Sequence, residues 1–213
     1  MTATPYHHGS LREALVDAAV LTVREGGAEG LALRDLARQV GVSHNAAYRH
    51  FANRDDLLAE VAGRVMGQLV EAMQRRLAAV QTTDPVLRAR RRLAETGRAY
   101  VEFALDEPGL FRLAFSVASS ASTISRSGPY LVLRSALDDL VDVGFLSAHG
   151  RVGAEITCWS AVHGFSVLAI AGALDEGAGV TPQTDEELAR VLAAIDRSYA
   201  ATTGSIVEAA DLR

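Results

Sequence analysis

Lysine is absent from the 213-residue chain, so all 21 basic residues are arginine. That excludes a phosphate-loop lysine, a Schiff base and a lysine general base. The one cysteine, Cys158, excludes a disulfide framework and any multi-cysteine zinc or iron–sulfur site, and it fits a reducing compartment. The sequence has no His-Glu-x-x-His, Glu-x-x-His, Gly-x-Ser-x-Gly or Gly-x-Gly-x-x-Gly. Zinc-protease, di-iron, hydrolase and dinucleotide chemistries therefore lack their usual carriers. Long apolar runs are missing too. The best, Trp159 to Leu174, contains His163 and Ser166 and falls short of the roughly 20 residues that span a bilayer. The start of the chain has no basic segment leading into an apolar one. The expectation is a cytoplasmic protein without membrane, cofactor or metal.

What is present points to helices. Alanine, the best helix former, occurs 37 times, and the five prolines at 5, 85, 108, 129 and 182 are spaced as breaks between helices. Helical periodicity and capping signals predict about nine helices and no strand, an all-α protein. A helix is expected from a Ser10–Glu13 capping box to Glu25, then Leu33–Val40, His44–His50, and a long one capped by Asn53 and running to about Val80. Later ones are expected at Val86–Leu105, Pro108–Phe115, Tyr130–Val143, Val152–Leu174 and Asp185–Tyr199. Ser116–Gly128 lacks a clear period and is expected to be a mobile loop, and the tail from Thr202 to be loosely ordered.

Charge divides the chain unevenly. Residues 1–54 carry six arginines against five acids and hold four of the six histidines, whereas residues 55–213 carry 15 arginines against 21 acids. The negative charge therefore sits in the body, −6 against +1 in the head for a net −5, and the head is free to meet a polyanion. Two domains are expected, a head of residues 1–54 and a body of residues 55–213.

The informative segment is Leu33–Phe51. Ala37 is small where two helices cross, Gly41 supplies a left-handed turn, and Leu36, Val40 and Val42 fill the angle. This is the pattern of a helix-turn-helix, whose second helix enters the major groove of double-stranded DNA. Its outer face offers Ser43, His44, Asn45, Tyr48 and Arg49, all hydrogen-bonding types.

These residues, with Tyr6-His7-His8-Gly9, Leu33-Arg34-Asp35-Leu36-Ala37, Tyr48-Arg49-His50-Phe51 and Asp55-Asp56-Leu57-Leu58, resemble the tetracycline-repressor (TetR) family of bacterial regulators. Trp159, His163 and Gly164 resemble the Trp…His-Gly pattern of one subgroup's regulatory domain. The chain departs from the family at Ala32, where a capping Ser or Thr is usual, and at Arg54, where lysine is usual. The resemblance implies a homodimeric repressor that binds a palindromic operator and leaves it when a small hydrophobic effector enters the body. It implies Tyr48, His50 and the backbone near Ser43 on phosphates, His44, Asn45 and Ala46 at base edges, and Arg49 in either role. Arg34 and Arg54 complete the expected DNA surface.

For the effector the candidates are Met66, Met73, Tyr100, Phe103, Phe111, Phe115, Trp159 and His163, any of which also suits an ordinary core. For the dimer interface the small residues Ala154, Ala161, Gly164, Ala171 and Gly172 are the candidates. The rival reading is a helical enzyme or lipid-binding module whose first 54 residues are only structural.

Overall fold

The computed structural model describes residues 8–117, 126–174 and 182–200. These contain ten helices and no strand, so the fold is all-α. Residues 118–125 of the expected loop, the tail from Thr202, His7 and the side chain of His8 lie outside the described residues. The chain divides into two compact units, one of residues 1–68 with 107–124, the other of residues 69–106 with 125–213.

The first unit holds α1 (His8–Gly26), α2 (Leu33–Val40), α3 (His44–Tyr48), the start of α4 (Arg54–Ala78) and α6 (Pro108–Val117). Helix α1 begins at His8, ahead of the start expected at Ser10. Leu15, Val16, Ala19 and Val23 recur at helical spacing and are fully buried. They give α1 the face that meets α2, α3 and α6. The approach of α6 is close: a Cβ on Gly109 would stand 2.7 Å from the Val23 carbonyl oxygen, a distance only glycine permits. An Arg24–Glu107 ion pair at 2.7 Å closes the same corner.

The second unit holds the rest of α4 and α5 (Pro85–Asp106), α7 (Gly128–Asp142), α8 (Ala148–Arg151), α9 (Ala154–Ile170) and α10 (Pro182–Ala200). Helix α5 is central and packs against α7, α9 and α10. At Gly97 a Cβ would come within 2.7 Å of Leu192 and 3.3 Å of Val162. Two of the arginines at the start of α5 are structural clamps: Arg90 binds Asp196 of α10 at 2.6 Å, and Arg92 binds Asp139 of α7 at 2.8 Å. Arg76 of α4 is held by Glu95 and Glu102 of α5.

Most helix ends shift by a few residues from the sequence reading, and two differences are larger. Helix α9 is shorter than Val152–Leu174 because Gly153 (φ 77°) and Gly172 (φ 69°) take left-handed conformations that stop it at either end. The tenth helix, α8, is a single turn capped by Ser147, whose hydroxyl accepts from the Gly150 N–H at 3.0 Å.

Candidate nucleic-acid interface

The corner between α2 and α3 is built by local chemistry. Gly41 takes φ 79°, and the Val42 N–H reaches back to the Ala37 carbonyl at 2.9 Å, which ends α2 abruptly. Ala32 precedes α2 without a side-chain cap. Ser43 then opens α3, its Oγ accepting from the Ala46 N–H at 3.2 Å. Ala37 and Ala47 are buried at this junction, as is Phe51 just beyond. The next helix starts from Asn53, whose Oδ1 accepts from the Asp56 N–H at 2.9 Å.

This arrangement leaves one face of α3 outside. Ser43, His44, Asn45, Tyr48 and Arg49 are exposed, while Ala46 and His50 are half-buried. The His44 and Tyr48 rings meet at a tilt of 57° with centroids 4.7 Å apart, and His44 Nδ1 lies 3.2 Å from Asn45 Oδ1. Arg34, one helix back, is exposed and only loosely paired with Asp35 at 3.9 Å. Such an exposed pair is worth little, so its guanidinium is available to a phosphate. Arg54 differs. Its Nε donates to the Leu31 carbonyl at 3.0 Å and a terminal nitrogen donates to the Ala28 carbonyl, so it anchors the turn before α2.

No sequence pattern points to Arg12. It donates to the His50 carbonyl 38 positions away and to Glu60 48 positions away.

Comparison with known proteins decides what this surface belongs to. Residues 15–61 match the family model described as bacterial regulatory proteins, tetR family, and residues 93–195 match the tetracyclin repressor-like C-terminal domain. The chain belongs to the TetR family. It is a DNA-binding transcriptional regulator, not an enzyme. TetR-family regulators bind DNA and small-molecule effectors, typically as dimers.

Individual relatives and solved structures match over most of the chain. The helix-turn-helix-type transcriptional regulator YobS of Bacillus subtilis is 26% identical over 160 residues, 75% of this chain and 79% of its own. A protein of Rhodococcus sp. RHA1 has a similar structure with a TM-score of 0.72 and 29% identity, over 92% of this chain and 98% of that one. A TetR variant of Acinetobacter baumannii in complex with minocycline shares the fold at 17% identity, with a TM-score of 0.62 over 94% and 100% of the two chains.

In the second unit, three of the expected effector residues meet. The Trp159 Nε1–H donates to the Tyr100 oxygen at 3.2 Å, and Tyr100 O lies 2.8 Å from His163 Nδ1. Indole can only donate, so the Tyr100 oxygen accepts from Trp159, and it shares a second hydrogen bond with His163 whose direction the imidazole tautomer sets. Burial pushes the Tyr100 phenol up and the His163 imidazole below 6.5. Met73 is buried and Phe103 half-buried, both in this unit.

The rest of the expected effector set lies elsewhere. Phe111 and Phe115 belong to the first unit and pair with each other at 4.8 Å, Phe111 as fully buried core, and half-buried Met66 lies in that unit too. Two cavities among the described residues, about 410 Å³ beside Thr22, Leu31 and Asp35 and about 510 Å³ beside Arg76, Gln81 and Arg91, touch none of these residues.

Burial lowers the His163 pKa below its value in the unfolded chain, so stability is full above about pH 6.5 and is lost as pH falls from there through the folded pKa. His163→Gln keeps a hydrogen-bonding partner for Tyr100 but cannot titrate. The thermal midpoint of this variant is expected to decline less than that of the native chain between about pH 6.5 and 5; parallel curves would show that His163 is not a buried neutral group.

Of the expected interface residues, Ala154 is 1% exposed and sits in a core cluster with Leu133, Leu137 and Tyr199. It is a core residue, because the first turn of α9 is tucked under α7 and α10. Ala161 and Gly164 are half-buried, a Cβ on Gly164 would meet nothing within 4 Å, and Ala171 and Gly172 are exposed just beyond the helix. Around them, Ile156, Val167 and Leu168 of α9 are large, apolar and about half exposed, and Val152 just before it is more so. Among the described residues no helix is long and apolar enough to cross a membrane.

Proposed function

We propose that the chain is a homodimeric repressor that reads a two-fold operator with α3 and leaves it when a small, largely apolar effector binds the body. The observation that carries this is the exposed row of Ser43, His44, Asn45, Tyr48 and Arg49 on a short helix whose other face is anchored by Ala47. Short polar side chains on such a face match base edges, Asn45 suiting adenine, while Tyr48, His50 and Arg34 have the reach for phosphates.

Dimerisation is supported by the apolar stripe of Ile156, Gly164, Val167 and Leu168 along α9, which suits a second copy of itself across a two-fold axis. An effector site is supported by the Trp159–Tyr100–His163 chain, which sets polar groups among apolar neighbours, and by the minocycline complex formed by a protein of the same fold. Helix α4 runs from the first unit into the second and is the natural lever between them. Only an effector that favours the released shape works it. A coupling of about 1–3 kcal/mol weakens operator binding roughly 5- to 150-fold.

The test is selection of duplexes from sheared genomic DNA by the full chain, followed by affinity against salt. A discrete sequence is expected to be enriched, and its affinity to fall steeply between about 50 and 200 mM salt as phosphate counterions are released. Weak, sequence-independent retention would instead favour the purely structural head. A thermal-shift screen then supplies compounds, and one that binds the body without altering operator affinity rules out the lever.

A further inference from the structure

The recognition helix is too short to hold itself. Five residues lie far below the roughly 12–15 at which an isolated helix becomes marginal, so its two ends must be fixed from outside. Ser43 fixes the first end. In the turn just past the other end, the His50 carbonyl receives the Arg12 guanidinium of α1 at 3.0 Å, a positive charge on the side the helix dipole favours.

The same guanidinium donates to Glu60 of α4 at 2.8 Å and lies 4.5 Å from the centre of the Phe51 ring. A planar fork serves all three partners at once, which an ammonium cannot. The Arg12 and Glu60 side chains are 41% and 40% exposed, so the pair contributes little to global stability. What it does is tie the end of α3 to α4.

We propose that Arg12 is a positioning residue for operator recognition: held by Glu60, it sets the angle at which α3 presents His44, Asn45 and Ala46, and it carries displacements of α4 to that helix. This rests on α3 being the recognition helix. A helix presented at the wrong angle forfeits base contacts but keeps phosphate attraction, which tolerates orientation. Loss of Arg12 therefore lowers the preference for the operator over other DNA, rather than lowering all binding.

The experiment uses the full chain, a duplex it selects from a random-sequence pool, and the same duplex with its sequence scrambled. Arg12→Met, which keeps an apolar stem over Phe51, is expected to bind the selected duplex about tenfold or more weakly and the scrambled one nearly as before, the size of one or more lost base contacts. Arg12→Lys and Glu60→Gln are expected to fall between it and the native chain. Combining Arg12→Met with Glu60→Gln should add nothing, since the two act through one contact.

The salt slope on the selected duplex should stay unchanged. A slope lower by about one ion would make Arg12 a phosphate contact, and equal losses on both duplexes would make its role merely structural; either result overturns the proposal. Should Arg12→Met fail to fold, Glu60→Gln carries the same test, and a native specificity ratio in that variant overturns it as well. A pool that enriches no sequence overturns the reading of α3, and the Arg12 proposal with it. A selected duplex on which all variants keep the native ratio overturns the Arg12 proposal alone.

Discussion

Replacing Tyr48 by alanine is expected to weaken operator binding by about 1–2 kcal/mol per head, the value of one good polar contact to a charged group. Both heads of a two-fold assembly carry the change, so the total is ~30- to 1,000-fold. The fold should survive. Tyr48 is 45% exposed and touches the exposed His44 ring, so its loss moves stability by only about 0.5 kcal/mol. Fluorescence anisotropy on the selected duplex measures the first effect and thermal melting the second.

Tyr48→Phe separates the hydroxyl from the ring, and a phosphate contact through the hydroxyl predicts nearly the full loss in that variant as well. Unchanged affinity in Tyr48→Ala would remove α3 from the DNA surface. Arg49→Ala resolves the side chain left open by sequence. A salt slope reduced by about 0.9 assigns it to a phosphate, and an unchanged slope with relaxed preference at one base pair assigns it to a base edge.

The second large effect concerns assembly. Leu168→Asp is expected to convert the proposed dimer to monomers at micromolar concentration. Leu168 is 48% exposed in the protomer, so the protomer should fold normally. Burying the new polar group against a second copy costs about 2 kcal/mol or more on each side of the axis. Association then weakens ~1,000-fold. Gly164→Trp should act by bulk at the same face, since the space above Gly164 is open in the protomer.

Sedimentation velocity reads the outcome directly. Operator affinity should fall alongside it, because two joined heads bind with an advantage that separate heads lack. If both variants sediment as dimers, the copies associate through another surface.

The features legible in the sequence were those whose partners lie within about four residues. Gly41, Ser43 and Asn53 each do their work through a backbone group close by, so residue type and spacing suffice to place them. The missed turn α8 also has a local cap, but four residues are too few for any periodicity to register.

Pairing at a distance was not legible. Ala154 and Gly164 are both small and both on α9, yet one is core and the other outer, a distinction set by which neighbours cover each turn. Phe111 looks like any aromatic of the body, but Gly109 lets α6 lie against α1 and carries Phe111 into the first unit. Arg90 and Arg92 read as a basic run until Asp196 and Asp139 occupy them. Composition reports the charge and says nothing of the partner.

The division of labour within α3 has an evolutionary consequence. The side chains that hold the helix in place, Ser43, Ala47 and Phe51, are not the ones facing outward at 44 and 45. Exchanges at exposed positions of this kind shift stability by only about 0.5 kcal/mol. Mutations at 44 and 45 are therefore nearly invisible to the folding equilibrium. If α3 reads DNA as proposed, two copies can drift apart after a gene duplication in the DNA sequence they address while remaining equally stable, each step screened by binding alone.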